Sequence, residues 1–407
     1  MSTRNQKIRN QKNRKKKIIQ FSDLRKLSIK LKKAGKKIVF TTGAFDLLNP
    51  DHCRYLAEAK SRGDILVVGV SPDEDDRRLK GNTVYPIIHC EIRMELISHL
   101  RTVDYVTETP EDMPHGVLAL LQPDVFFTSS GAWEKGFRDQ KELTIVKSYG
   151  GRIIRRKHHL PYFGIDAVVD HIADIRIMQI LERYISQKIR GFKLDPSIHL
   201  KPLNFEDQTP KYSNSFNSKR LLVTCDNLEK LGKKYRTKKK SLVFVSVSYD
   251  LLHVGHARFI EQAGTNGDIL VVGIPSDRAM GELKGIGRPV ITETDRAYIL
   301  GHLDCVDYVV ISDDKTILSS LEKLKPNVFF TVQEEWNSGL KASPEYKCVR
   351  DYGGKVITSK RKAPFISASA IIDKMALKRV REIFGEFITD ERITKISKEN
   401  SFPEIET

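Results

Sequence analysis

The chain has 407 residues, 40% of them hydrophobic, and a formal net charge of +17. That length and apolar content suit two or three globular domains, and no apolar run approaches the ~18 residues of a membrane span. Five scattered cysteines without a CxxC pair exclude a disulfide framework or a zinc site, and with no secretory leader legible a cytoplasmic protein is expected.

Residues 1–37 hold 15 Lys or Arg against one acid, Asp23. They read as a basic tail with a lead-in helix. Such a segment can touch nucleic acid or an anionic surface. It lacks the interleaved aromatics of a single-strand-binding surface, so a solvated extension is the plainer expectation. In 38–185, short β-branched runs at 38–42, 65–70 and 125–127 predict buried parallel strands. Helical patterns at 51–61, 89–100 and 116–121 lie between them, which predicts a doubly wound α/β sheet. Residues 186–240 are polar, carry Pro196, Pro202 and Pro210, and read as a linker. A second unit follows over 241–385, then a charged tail over 386–407.

The two units repeat each other. Val39, Phe40, Asp46, Leu47, Leu48 and His52 recur 204 residues later as Val243, Phe244, Asp250, Leu251, Leu252 and His256. The segments at 63–69 and 267–273 are identical, GDILVVG. After a one-residue deletion, Arg93 matches Arg296, Trp133 matches Trp336, and the YGG of 149–151 matches that of 352–354. So many matches in one order define a tandem duplication. The fold class expected is two tandem Rossmann-like doubly wound parallel-sheet domains, with ligands beyond the carboxyl ends of the strands.

The chemistry concentrates in the second unit. His253-Val254-Gly255-His256 follows a strand and opens a helix, whose N-terminus favours phosphate. Two imidazoles there can donate to phosphate oxygens as charge builds in phosphoryl transfer. No third ligand completes a metal site around them. Lys284-Gly285-Ile286-Gly287-Arg288-Pro289 is a Gly-rich loop with two cations, Arg296 falls in the first turn of a further helix, and Ser367 and Ser369 stand at another helix start.

With these motifs the second unit resembles the cytidylyltransferase-like nucleotidyltransferases, the domain acting on heptose 1-phosphate above all. Glycerol-3-phosphate and phosphoethanolamine cytidylyltransferases are similar, and the latter also come as tandem units. The resemblance implies transfer of a nucleotidyl group from ATP or CTP, with Mg²⁺, to a phosphorylated sugar or alcohol, releasing pyrophosphate. It implies catalytic roles for His253, His256, Lys284 and Arg296. Nucleotide contacts are implied for Ser246, Ser248, Tyr249, Asp250, Gly255, Arg288, Ser367 and Ser369. A monomer or homodimer follows from the internal tandem.

Each unit departs from the pattern. The first keeps Thr42, Gly43, Phe45, Asp46, His52, Lys80 and Arg93, but its motif is Asn49-Pro50-Asp51-His52, so one imidazole is gone and a carboxylate is added. Tyr85 stands where Arg288 does, and this site is expected to be dead. The second has Val247 in place of the turn glycine and Gln333-Glu334-Glu335-Trp336 on the acceptor side. Damage to both units leaves an inactive nucleotide or sugar-phosphate binding protein as the alternative.

Overall fold

The computed structural model describes residues 14, 16–73, 86–110, 114–129, 139–156, 171–172, 174–175, 177–178, 222–285, 288–314, 316–336, 339–360 and 371. Among them are two parallel sheets. In the first, β1 (Ile38–Gly43) is central, and the strand order is β3 (Tyr105–Glu108), β2 (Ile65–Val70), β1, β4 (Val125–Ser129), β5 (Arg152–Arg156). In the second, β7 (Leu242–Ser246) takes the place of β1. The order there is β11 (Lys355–Ser359), β10 (Val328–Val332), β7, β8 (Ile269–Pro275), β9 (Tyr308–Ser312), β6 (Leu222–Val223). This is the doubly wound α/β architecture expected. The three strands expected in the first unit appear at 38–43, 65–70 and 125–129. The short edge strands β3 and β5 went unpredicted because their polar, brief runs carry little pattern.

Strand alternation sorts side chains into layers. In β1, Ile38 and Phe40 face an outer cluster with Leu24, Leu27, Val117 and Phe126, while Val39 faces inward. In β7, Leu242 and Phe244 face the corresponding outer cluster, and Val243 and Val245 face inward. The two inward faces join one continuous core. Helices α1 (Leu24–Lys33), α4 (His115–Leu121) and α5 (Asp139–Ser148) lie on the outside of the first sheet, and α2 (Pro50–Lys60) and α3 (Cys90–Ser98) on its inside.

The second domain starts earlier than its motifs suggested. Residues 222–240, expected to end a linker, form β6 and α6 (Leu228–Thr237), with β6 paired to β9. Leu228, Leu231 and Tyr235 of α6 are buried just as Leu24, Leu27 and Leu31 of α1 are, 204 residues apart. Ile18 bridges Val106 in parallel, the counterpart of β6 on β9. Much of the apparent basic tail is therefore the cationic outer side of a structural helix.

The remaining helices are α7 (Val254–Gly264), α8 (Asp277–Lys284), α9 (Glu293–Gly301), α10 (Leu318–Leu324) and α11 (Pro344–Asp351). The domains meet through equivalent surfaces: α7 packs on α3, and α9 on α2. At the centre Leu100 and Leu303 form an antiparallel bridge. Arg101 N–H donates to His302 O at 2.9 Å, and Asp304 N–H donates to His99 O, also at 2.9 Å. Residues 99–101 match 302–304 at the repeat offset, so the contact has approximate twofold symmetry, as a homodimer would. No described helix is long and apolar enough to cross a membrane.

Candidate active site

The site forms where β7 ends and α7 begins. His253 is the N-cap of α7, with extended backbone, and its Nδ1 accepts from Gly255 N–H at 3.1 Å. That bond fixes the tautomer of the neutral ring: Nδ1 holds a lone pair, so the proton sits on Nε2 and makes that atom a donor. His256 stacks on His253 with ring centroids 3.8 Å apart. Tyr249, with φ 45°, braces His256 edge-on at 5.1 Å. The result is a paired imidazole surface at a helix N-terminus carrying about half a positive charge.

The flanking residues divide into those that face the ligand space and those that build it. Lys284 ends α8, is exposed, and precedes Gly285 at φ 86°, a backbone angle that glycine accepts readily. Ser246 and Ser248 are half-buried beside the β7 carboxyl end. Val247, in place of the turn glycine, is half-buried and packs against the inner core.

Asp250 is a framework group. Its Oδ1 accepts from Val290 N–H at 2.7 Å, and its Oδ2 is paired with Arg288. Asp46 does the same in the first domain, accepting from Ile87 and Ile88 N–H. The carboxylate thus holds the loop crossing under the site, and Arg288 rests on that carboxylate. Tyr249 is 2% exposed, and burial raises its phenol well above the ordinary value.

Arg296 is a clamp inside the domain. It is 1% exposed. Its Nε donates to Ile291 O, Nη1 to Ser248 O, and Nη2 to Pro275 O and to Asp277. Arg93 makes the same set in the first domain, to Ile88 O, Ala44 O, Ser71 O and Asp73. The arginine ties the carboxyl ends of the first two strands to the following helix. Its retention beside a degraded motif reflects that framework duty.

In the first domain the helix start is built differently. Asn49 caps α2 by accepting from His52 N–H at 3.0 Å, and His52 Nδ1 faces back to Asn49 N–H. Asn49 caps as well as His253 does but offers no Nε2–H. Asp51 lies in the first turn and pairs with Arg156 at 3.3 Å, so the anion-favouring end of α2 already has a carboxylate of its own. Phe45 braces His52 as Tyr249 braces His256. Thr42 and Gly43 end β1, where a Cβ on Gly43 would meet the Phe45 ring at 3.2 Å.

Lys80, Tyr85, Trp133, Ser367 and Ser369 lie outside the described residues. Trp336 turns back into its own domain, donating Nε1–H to Thr331 Oγ1 at 2.9 Å, which leaves Glu334 and Glu335 exposed beyond β10. Sequence reasoning missed Arg156, whose role depends on β5 ending beside α2. It also missed Asp277 and Asp73, the carboxylate partners of the two clamps.

A parallel α/β sheet with a capped helix start at its carboxyl edge defines a Rossmann-like protein. The chain belongs to the cytidylyltransferase-like family, whose model matches residues 40–193 and 244–374. It is 44% identical over 135 residues to the bifunctional protein HldE of Geotalea uraniireducens, covering 32% of this chain and 26% of that protein. It is 43% identical over 101 residues to the HldE protein of Helicobacter pylori, covering 25% and 22%. The chain therefore spans about a quarter of the length of these relatives. Among solved structures, the lipopolysaccharide core biosynthesis protein of Thermoplasma volcanium is 30% identical, covering 30% of this chain and 96% of that one, with a TM-score of 0.26.

Proposed function

We propose that the second domain transfers a nucleotidyl group from ATP or CTP to a phosphorylated sugar or alcohol. The observation that carries this reading is the His253–His256 pair, with its tautomer set by Gly255 N–H at the start of α7. A phosphate oxygen of the acceptor attacks the α-phosphorus. The bond from that phosphorus to the bridging β-oxygen breaks, and pyrophosphate leaves. Nε2–H of His253 and the His256 ring stabilise the charge gathering on the α-phosphate oxygens. Lys284 steadies the outer phosphates, Ser246 and Ser248 border the nucleotide, and Gly255 lets backbone approach it. Asp250, Arg288 and Arg296 keep these groups in place.

Mg²⁺ enters as part of the nucleotide substrate, held mainly by phosphate oxygens and water. The likeness to the HldE proteins puts ATP with heptose 1-phosphate first among substrate pairs. Glycerol 3-phosphate and phosphoethanolamine with CTP come next.

The test is pyrophosphate release by the whole chain across that panel, with His256→Ala alongside. Turnover with one pair, lost in the variant, is expected. Nucleotide binding without turnover for any pair would replace this reading with that of an inactive binding protein.

A further inference from the structure

We propose that Glu95 and Arg14, both contributed by the first domain, are positioning residues for the reacting helix of the second. The inference rests on the reading of α7 as that helix. Arg258 lies two residues beyond His256, roughly 3 Å further along the axis. It reaches across the domain boundary to Glu95 on α3 with two bonds, Nε to Oε1 at 2.7 Å and Nη2 to Oε2 at 2.6 Å. Glu261, one turn on and on the same face, pairs with Arg14. Two successive turns of α7 are thus gripped from outside their own domain. The bidentate pair constrains angle as well as distance.

The pseudo-symmetric contact shows that this grip is not simply a consequence of the fold. Arg54 on α2 is the counterpart of Arg258. Its partner position, where the first domain has Glu95, is Tyr298. Arg54 instead makes a single 3.4 Å contact to Asp295 and lies over the Tyr298 ring at 4.9 Å. The counterpart of Glu261 is Ala57, so α2 has no equivalent of the second pair. The strong contacts fall on the helix bearing the imidazole pair and not on the helix that lost it. The degraded domain then serves as a fixed jig for the intact one.

The experiment uses the full chain with Glu95→Gln, Glu95→Ala, Arg258→Ala, the double alanine variant and the exchange Glu95→Arg with Arg258→Glu. Pyrophosphate release gives kcat and KM, and histidine side-chain NMR reports His253 and His256 directly. A displacement near 1 Å can cost about 100-fold. Each single variant should therefore lose about 10- to 100-fold in kcat, with KM for the nucleotide within about threefold. The double variant should be no worse than either single, and the exchange should restore kcat to within about threefold. The imidazole signals should shift or broaden in the single variants and return in the exchange. Absence of turnover in the unaltered chain would count against the proposed function alone, and the imidazole signals would still decide this inference. Unmoved kcat and unmoved imidazole signals would overturn it. So would a loss that the exchange does not recover, or one that merely follows a lowered melting temperature.

Discussion

The two domains share a sheet order, a buried arginine clamp and a carboxylate-held loop, yet differ at the first turn of one helix. In the second domain His253 caps α7 through Nδ1, and its Nε2 carries the ring proton. In the first, Asn49 caps α2 and Asp51 in the first turn pairs with Arg156. Both solutions satisfy the helix start, so stability does not distinguish them. The clamps Arg93 and Arg296 and the carboxylates Asp46 and Asp250, common to both domains, are framework, and the cap, Asn49 in one and His253 in the other, is where the proposed function separates them.

The largest effect that would break this comparison is catalytic. His253→Ala or His256→Ala should lower kcat about 10²- to 10³-fold, the usual cost of losing one charge-stabilising donor. His52→Ala should leave kcat within about twofold in the same pyrophosphate assay, by the same reasoning. Comparable losses from both domains would show that the first site works.

Next is the clamp. Arg296→Met and Arg93→Met should each destabilise the protein by about 3–5 kcal/mol in denaturant unfolding, because buried carbonyls and a carboxylate lose their donor. A large loss of kcat in Arg296→Met with stability little changed would make Arg296 a ligand contact.

The interface supplies a pH test. Burial holds His302 down to about 4 and His99 well below its ordinary value. Above pH ~6.5 both are neutral folded or unfolded and contribute no pH dependence. As pH falls below that, the unfolded chain takes up protons that the folded chain refuses. Stability should therefore drop by roughly 1.4 kcal/mol per pH unit for each histidine. For His302 that window runs from pH ~6.5 down to about 4. His302→Gln should flatten the dependence of the melting temperature on pH in that window. The smallest effect is at Lys284. Lys284 is exposed, so on the proposed role Lys284→Ala should raise KM for the nucleotide about tenfold and leave the melting temperature unmoved.

Much of this was legible in one dimension. The near-continuous apolar runs at 38–42 and 242–246 show strands buried on both faces, and the 204-residue offset shows two domains. The same offset, followed further upstream, would have placed Leu228, Leu231 and Tyr235 in a structural helix instead of a linker. The motif from His253 to His256 announced its place at a helix start, because capping is a matter of neighbours three residues apart. The framework bonds of Arg296 were not legible, because its acceptors, from Ser248 to Ile291, are brought to it only by the fold.

The sequence by itself determined the duplication, the strand and helix periods, and which copy retains the imidazole pair, since all of these depend on residues near one another along the chain. Tertiary structure alone decided which charges meet. Asp51 finds Arg156 across 105 residues, and Glu95 finds Arg258 across 163. No local period encodes such a pairing. It exists only once two sheets have folded and their inner faces have closed into one core.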